Sequence, residues 1–365
     1  MLSNFNQATR FDEFMRFALY DPQYGYYARG EQIFGREGDF ITAPELSPLF
    51  GQTLGKALRE VLPRCGGTVY EFGAGTGQLA CDVLRTAGDL ITQYNIVDLS
   101  GGLKELQRAN LIALHGPDIE LKVRWLSELP EQIHGLVLGN EVLDATPVRR
   151  FKWQHNSPQE AWVQNFNDTL RFVWRPADPL FATAIQQLHQ AHGPWPEGYE
   201  SEIAEQSSAW VKTITERLNG IALMIDYGFH EAVYYHPTRT QGTLRATSRH
   251  TAHDDFLVKV GEQDLTAHVN FSAVYAALNG CGGELEGYCH QGEFLLAHGI
   301  LDLAQQQPEF THPTRGALMR QNLNTLLNEA DMGEAFKVIC WSKGIDAEDT
   351  GLSHAFLNND RSGEL

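Results

Sequence analysis

Three glycines alternate in Val69-Tyr70-Glu71-Phe72-Gly73-Ala74-Gly75-Thr76-Gly77-Gln78-Leu79, between an apolar run that reads as a strand and a helical pattern. Gly73, Gly75 and Gly77 permit a sharp turn and leave no Cβ between main chain and ligand. The helix that follows directs free N–H groups at the same spot. This is the chemistry of a nucleotide pocket. A dinucleotide fingerprint requires GxGxxG with a small third residue, but Gln78 stands there and the spacing is GxGxG. Glu71 adds a carboxylate at the strand end, which repels a pyrophosphate and suits a sulfonium bearing an α-amino group. The stretch therefore favours S-adenosylmethionine, with S-adenosylhomocysteine as product, over a nicotinamide cofactor. Asp98 closes the short apolar run Tyr94–Asp98, at the place where a doubly wound fold puts the acid that grips ribose hydroxyls.

A second loaded stretch is His134–Pro147, in which Asn140, Glu141 and Asp144 follow an apolar run. Parallel strands present ligands at their carboxyl ends, so Asn140 is expected at the cofactor and Glu141 and Asp144 as catalytic carboxylates beside the transferable methyl. A helix N-cap would explain one of these groups, and three exceed what a cap requires. In Gly38–Gly51 a loop of small, acidic and hydroxyl residues precedes a helical pattern running to about Leu62. Asp39 is the third catalytic candidate. Thr42 is expected to cap that helix, with Pro44 and Glu45 in its first turn, and Thr42 and Pro44 are placed at the cofactor. Leu126 ends the alternating run Glu120–Leu126, where this architecture commonly meets the adenine.

These residues need elements to hold them. Apolar side chains at 11, 14, 15, 18 and 19 mark an amphipathic helix over 11–20, ended by Asp21-Pro22. The glycine-turn helix to about Ala87, the Asp98 strand, a crossover helix over 102–114 and the later apolar runs continue a β-α-β alternation. This predicts an α/β, Rossmann-like fold. From Arg149 two aromatic-rich runs, around Phe151–Trp153 and Leu170–Trp174, suggest a hairpin. Helical segments over 180–191 and 201–219 follow, and Gly220–Asp226 resumes the core. The expected organisation is an N-terminal extension over 1–62, a core over 63–148 and 220–345, a hairpin-plus-helices insertion over 149–219 acting as a substrate lid, and a loose tail over 346–365. The core is expected to end as helix, helix and a final strand over 336–341.

The balance of 28 basic against 46 acidic side chains gives a net charge of −18. That disfavours a nucleic-acid ligand and favours a basic protein partner. Five scattered cysteines without CxxC spacing read as reduced thiols. His250, His253 and Asp254 fit no defined metal site, so no metal is expected. No apolar run approaches the ~18–20 residues of a membrane span, and Met1–Phe5 has no signal-peptide pattern. The expectation is a cytoplasmic protein of bacterial type.

Several longer strings make the chain resemble the MidA-like family of class I methyltransferases. They include Tyr24-Gly25-Tyr26-Tyr27 after Asp21-Pro22, Gly38-Asp39-Phe40-Ile41-Thr42-Ala43-Pro44-Glu45, the glycine turn, Asn140-Glu141 with Asp144-Ala145, Asp226-Tyr227-Gly228, Gly242-Thr243-Leu244-Arg245 and Asp264-Leu265-Thr266-Ala267-His268-Val269. The resemblance implies a mostly parallel seven-stranded sheet, S-adenosylmethionine held by Glu71, Gly73, Gly75, Gly77 and Asp98, and Asn140 and Glu141 beside the methyl. Mitochondrial members of the family are described as protein arginine methyltransferases that assist assembly of respiratory complex I. An arginine-presenting protein is thus the implied substrate, with a respiratory-complex subunit among the candidates. Methylation of another protein side chain or a small molecule, and assembly chaperoning without turnover, stay open.

Overall fold

The computed structural model describes residues 2–28, 42–98, 103–248, 251–345, 356 and 359–365. Asp39 and His250 lie outside them. The central sheet contains β1 (Thr68–Phe72), β2 (Gln93–Val97), β3 (Val123–Leu126), β4 (Ile133–Asn140), β5 (Leu218–Phe229), β6 (Glu284–His290) and β7 (Phe336–Lys343) in the order β6-β7-β5-β4-β1-β2-β3. Pairing is parallel except that β7 runs antiparallel to both neighbours. The two-residue strand Val269–Asn270 pairs with the end of β5 and makes the sheet eight-stranded, one more than expected.

Alternation along β4 explains its hydrophobicity. Leu136 and Leu138 enter a core shared with α2 (Pro48–Val61) and α3 (Gln78–Ala87), while Val137 faces a second core with α6 (Glu205–Arg217) and α7 (Phe271–Asn279). Both faces are covered, so the strand has no polar side until it ends. Chain order reverses between β1 and β4, which leaves a crevice at their carboxyl ends, where open α/β sheets bind ligands.

Several elements differ from the sequence expectation. The stretch 42–62 is two helices: one turn over Ala43–Leu46, then α2. Thr42 makes no side-chain cap; Ser47 caps α2 by accepting the Leu49 N–H at 3.3 Å. Pro48 has no N–H to continue the first turn, so the chain restarts there. Residues 117–121 form a 3-10 helix, and β3 begins only at Val123.

The insertion is richer than a hairpin. Arg149–Gln154, Ser157–Phe166 and Thr169–Pro176 form a meander; Tyr199–Ile203 extends it beside Arg149–Gln154, and Thr9–Arg10 pairs with Val163 and Trp162 of the middle strand. Its turns, His155-Asn156 and Asn167-Asp168, have φ of 52° and 55°, and 51° and 63°, the sign that type I′ hairpins require. Residues 201–203, expected as the start of a helix, belong instead to the strand Tyr199–Ile203, in which Glu200 pairs with Arg150 and Lys152 on the adjacent strand. α5 (Pro179–His192) joins the meander to this strand, and α6 begins at Glu205. α1 (Phe11–Tyr20) packs Phe11, Phe14, Met15 and Leu19 against this meander and against a small sheet of Arg245–Ser248, Thr251–His253 and Asp264–Thr266.

β6 also escaped the sequence reading, and the chain end explains its form. Phe356 is buried where a Cβ on Gly287 would come within 2.1 Å of it. Tyr288 receives the Arg361 N–H at 2.7 Å and donates its own to Asp360, and Arg361 pairs with Glu293. The expectation of a loose tail fails for Phe356 and 359–365. Among the described residues no helix is long and apolar enough to cross a membrane, and no three His, Cys, Asp or Glu side chains cluster as metal ligands.

Candidate active site

β1 delivers Glu71 and Phe72 to the crevice, and Gly73, Gly75 and Gly77 then turn the chain with φ of 63°, 53° and 81°. Side chains would be strained at all three. A Cβ at Gly73 would meet Val142 at 3.3 Å, and one at Gly77 would meet Gln107 at the same distance. Gln107 comes from α4 (Lys104–His115) and is fully buried. Its Nε2 donates to the Gly75 carbonyl at 2.9 Å and to Asp98 at 3.1 Å, while its Oε1 receives the Trp125 indole N–H at 2.8 Å. One amide therefore fixes the glycine turn, the acid at the end of β2 and β3. The sequence carries a signal for it: a glutamine between Leu103 and Leu111, four residues from each, on the helix's apolar face. Asn110 adds a bond to the Thr76 carbonyl at 3.0 Å. The Thr76 hydroxyl donates to Glu45, which therefore braces the turn in addition to lying in its own helix's first turn.

The acids of β4 emerge beside this turn. Glu141 has φ of 54°, a left-handed conformation uncommon for a residue with a side chain. The following backbone is held from behind: Oδ2 of Asp226 accepts the N–H groups of Val142, Leu143 and Asp144 at 3.1, 2.9 and 3.3 Å. Glu141 also receives the Asn140 side-chain amide at 3.0 Å. Burial, then the charge of Asp144, pushes the Glu141 carboxyl up to about 8, against the pull of Asn140 and the Ala43 amide. Burial raises Asp144 to about 6, opposed by the Tyr227 hydroxyl, and raises Glu71 to about 7, opposed by the Tyr94 hydroxyl that donates to it at 2.7 Å. Such shifts concentrate where buried acids share a site.

One cavity of about 1060 Å³ joins these groups. Of the residues expected at the site, Thr42, Pro44, Glu71, Gly73, Gly75, Asp98, Leu126, Asn140, Glu141 and Asp144 line it. Gly77 turns its α-carbon to Gln107 instead, serving the helix junction. Among the described lining residues Arg245 is the single cation, against eight carboxylates. Tyr20, Tyr27, Trp210, Tyr227 and Asp264 also reach the cavity and had not been assigned to the site. They come from α1, the loop after it, α6, β5 and the small sheet.

Residues 51–289 match the family model described as "Putative S-adenosyl-L-methionine-dependent methyltransferase". A mitochondrial protein arginine methyltransferase NDUFAF7 homolog of Drosophila melanogaster is 30% identical over 91% of this chain and 81% of its own. The chain belongs to the MidA-like S-adenosylmethionine-dependent methyltransferases. Human NDUFAF7, likewise named a protein arginine methyltransferase, is 29% identical over 89% of this chain and 78% of its own. A crystal structure from Burkholderia thailandensis, described as a "likely methyl transferase" bound to S-adenosyl-homocysteine, superposes with a TM-score of 0.90. It is 42% identical and covers 98% of this chain and 92% of that one.

The cofactor of this MidA-like chain is accordingly S-adenosylmethionine, and the residues present fit it. The glycine turn presents backbone where a Cβ at Gly73 would crowd Val142. The acidic wall suits a ligand bearing a sulfonium and an ammonium group, and Asp98 offers acceptors for hydroxyls.

Proposed function

We propose that this MidA-like methyltransferase modifies an arginine side chain of a partner protein. The observation that carries the reading is the carboxylate pair of half-buried Glu141 and buried Asp144 at the end of β4, inside the cavity the glycine turn enters. Its named relatives are consistent with it. S-adenosylmethionine supplies an electrophilic methyl on a positively charged sulfur. The chain's own contribution is to align a nucleophile, and positioning of this kind is worth up to ~7–11 kcal/mol. Free deprotonation of a guanidinium at pH 7 would cost about 7–9 kcal/mol, given a pKa of ~12.5–13.8. The carboxylates avoid that step by holding the guanidinium, drawing its charge away from one nitrogen, and accepting a proton as the new bond forms. The net charge of −18 favours recruitment of a basic protein segment.

The test is incubation of the purified chain with labelled S-adenosylmethionine and arginine-rich basic proteins, followed by hydrolysis and identification of the methylated residue. Methylarginine is expected, and Glu141→Gln should lower turnover by about 10²–10⁴-fold with cofactor affinity kept. Label found only on another residue, or a Glu141→Gln variant with wild-type turnover, counts against the reading.

A further inference from the structure

The cavity has a second wall beyond Glu141 and Asp144, built from parts of the chain far apart in sequence. Tyr20 ends α1, Tyr27 follows shortly after, and Asp264 opens the short strand Asp264–Thr266; all three line the cavity with Asp144. The two rings stack with centroids 5.4 Å apart and planes 28° from parallel. Their hydroxyls are engaged: Tyr20 donates to the Ala145 carbonyl at 2.9 Å and Tyr27 to Oδ1 of Asp264 at 3.1 Å. The Ala267 N–H donates to the Asp144 carbonyl at 3.0 Å, which fastens the Asp264 segment to the Asp144 loop.

Asp144 supplies an independent sign of a ligand. It is 5% exposed and lines the cavity, yet its Oδ1 has no hydrogen-bond partner among the described residues. Buried acceptors are rarely left this way, because an unmade bond costs more than a made one returns. The wall thus combines an acceptor awaiting a donor, a second carboxylate on another element, and stacked aromatic rings. A guanidinium has in-plane N–H donors in a rigid fork and weakly hydrated faces that lie against aromatic rings. An ammonium is a compact, strongly hydrated point charge.

We propose that Asp264, Tyr20 and Tyr27 are specificity-determining residues that form, with Asp144, a subsite for the planar guanidinium and select arginine over lysine. The assignment rests on the arginine reading above. Tyr27 holds the Asp264 carboxylate in place, Tyr20 stacks on Tyr27, and the two carboxylates take separate edges of the fork.

The test uses the full chain saturated with S-adenosylhomocysteine and titrated with N-acetyl-arginine amide or N-acetyl-lysine amide, followed by ligand-observed NMR. The wild type should prefer the arginine probe by at least about tenfold, as charge-assisted forked pairs do. Asp264→Asn should reduce the preference below about threefold, and Tyr27→Phe should weaken the arginine probe about fivefold through loss of the hydroxyl that orients the carboxylate. Affinity for S-adenosylhomocysteine should stay within about twofold in both. Tyr27→Phe keeps the ring and its volume, so it decides the matter should Asp264→Asn fail to fold. Equal affinity of the wild type for the two probes, or an arginine preference that survives in the variants, overturns the subsite. Product analysis separates the two levels: methylarginine formed with the preference unaltered in the variants removes the subsite alone, whereas methylation confined to another residue removes the arginine reading itself.

Discussion

Glu141 combines a left-handed backbone, a half-buried carboxyl and a neighbouring acid, with measurable consequences. Its carboxyl is raised on folding from the ordinary 4.5 to about 8. The unfolded chain releases that proton first, so across this window the folded state binds more protons and stability falls as pH rises. Glu141→Gln removes the titration. Its melting temperature without ligand should match wild type near pH 4 and exceed it by at least about 1–2 °C at pH 8.5, the equivalent of ~1 kcal/mol for a chain of this length. A difference that does not vary with pH contradicts the shift. The candidate polar residues were legible in the sequence because residue type at a strand end is informative: Glu71, Asp98, Asn140, Glu141 and Asp144 all reach the cavity. Asp226 and Gln107 were not, since their importance lies in the backbone groups they hold, and those partners are brought near only by folding.

At the scale of elements, the helix α4 ties the glycine turn to β2 and β3 through Gln107. Gln107→Leu keeps the side chain's bulk and removes its three hydrogen bonds, two of them to groups at the cofactor end of the cavity. S-adenosylmethionine affinity should fall at least about tenfold by calorimetric titration, because each buried partner left unmade costs about 1–3 kcal/mol. The circular dichroism of the helices should be unchanged. Buried parallel strands were readable from their apolar runs. The polar strands Ser157–Phe166 and Tyr199–Ile203 were not, because Glu160 and Glu200 become acceptable inside a sheet only through Arg149, Arg150 and Lys152 on the adjacent strand. Sequence periodicity cannot register such cross-strand pairing. The two-residue turns at His155-Asn156 and Asn167-Asp168 were its one local signal.

Over the whole molecule, the central sheet, the small sheet and α1 all contribute to the lining of the cofactor cavity, and the end of the chain is part of the framework. Phe356 is 2% exposed and packs against Phe294 at 5.9 Å. Phe356→Ala should cost about 3–5 kcal/mol in denaturant unfolding, as deletions of buried aromatic rings do. Cofactor affinity should be retained, as Phe356 does not line the cavity. A change below ~0.5 kcal/mol would mean that the ring is not seated in the core. The position of this ring could not be read from a polar tail, because the gap it fills exists only once Gly287 has been placed on β6.

Tyr288 gives its amide and carbonyl to Asp360 and Arg361, groups that on a bare outer strand are a template for another polypeptide. Peeled back, the tail would leave β6 as an open rim on which a second molecule could continue the sheet. Residues 359–365, none of which lines the cavity, are therefore expected to guard this edge against such pairing. A preparation nicked near its carboxyl end would keep its cofactor pocket and lose its solubility.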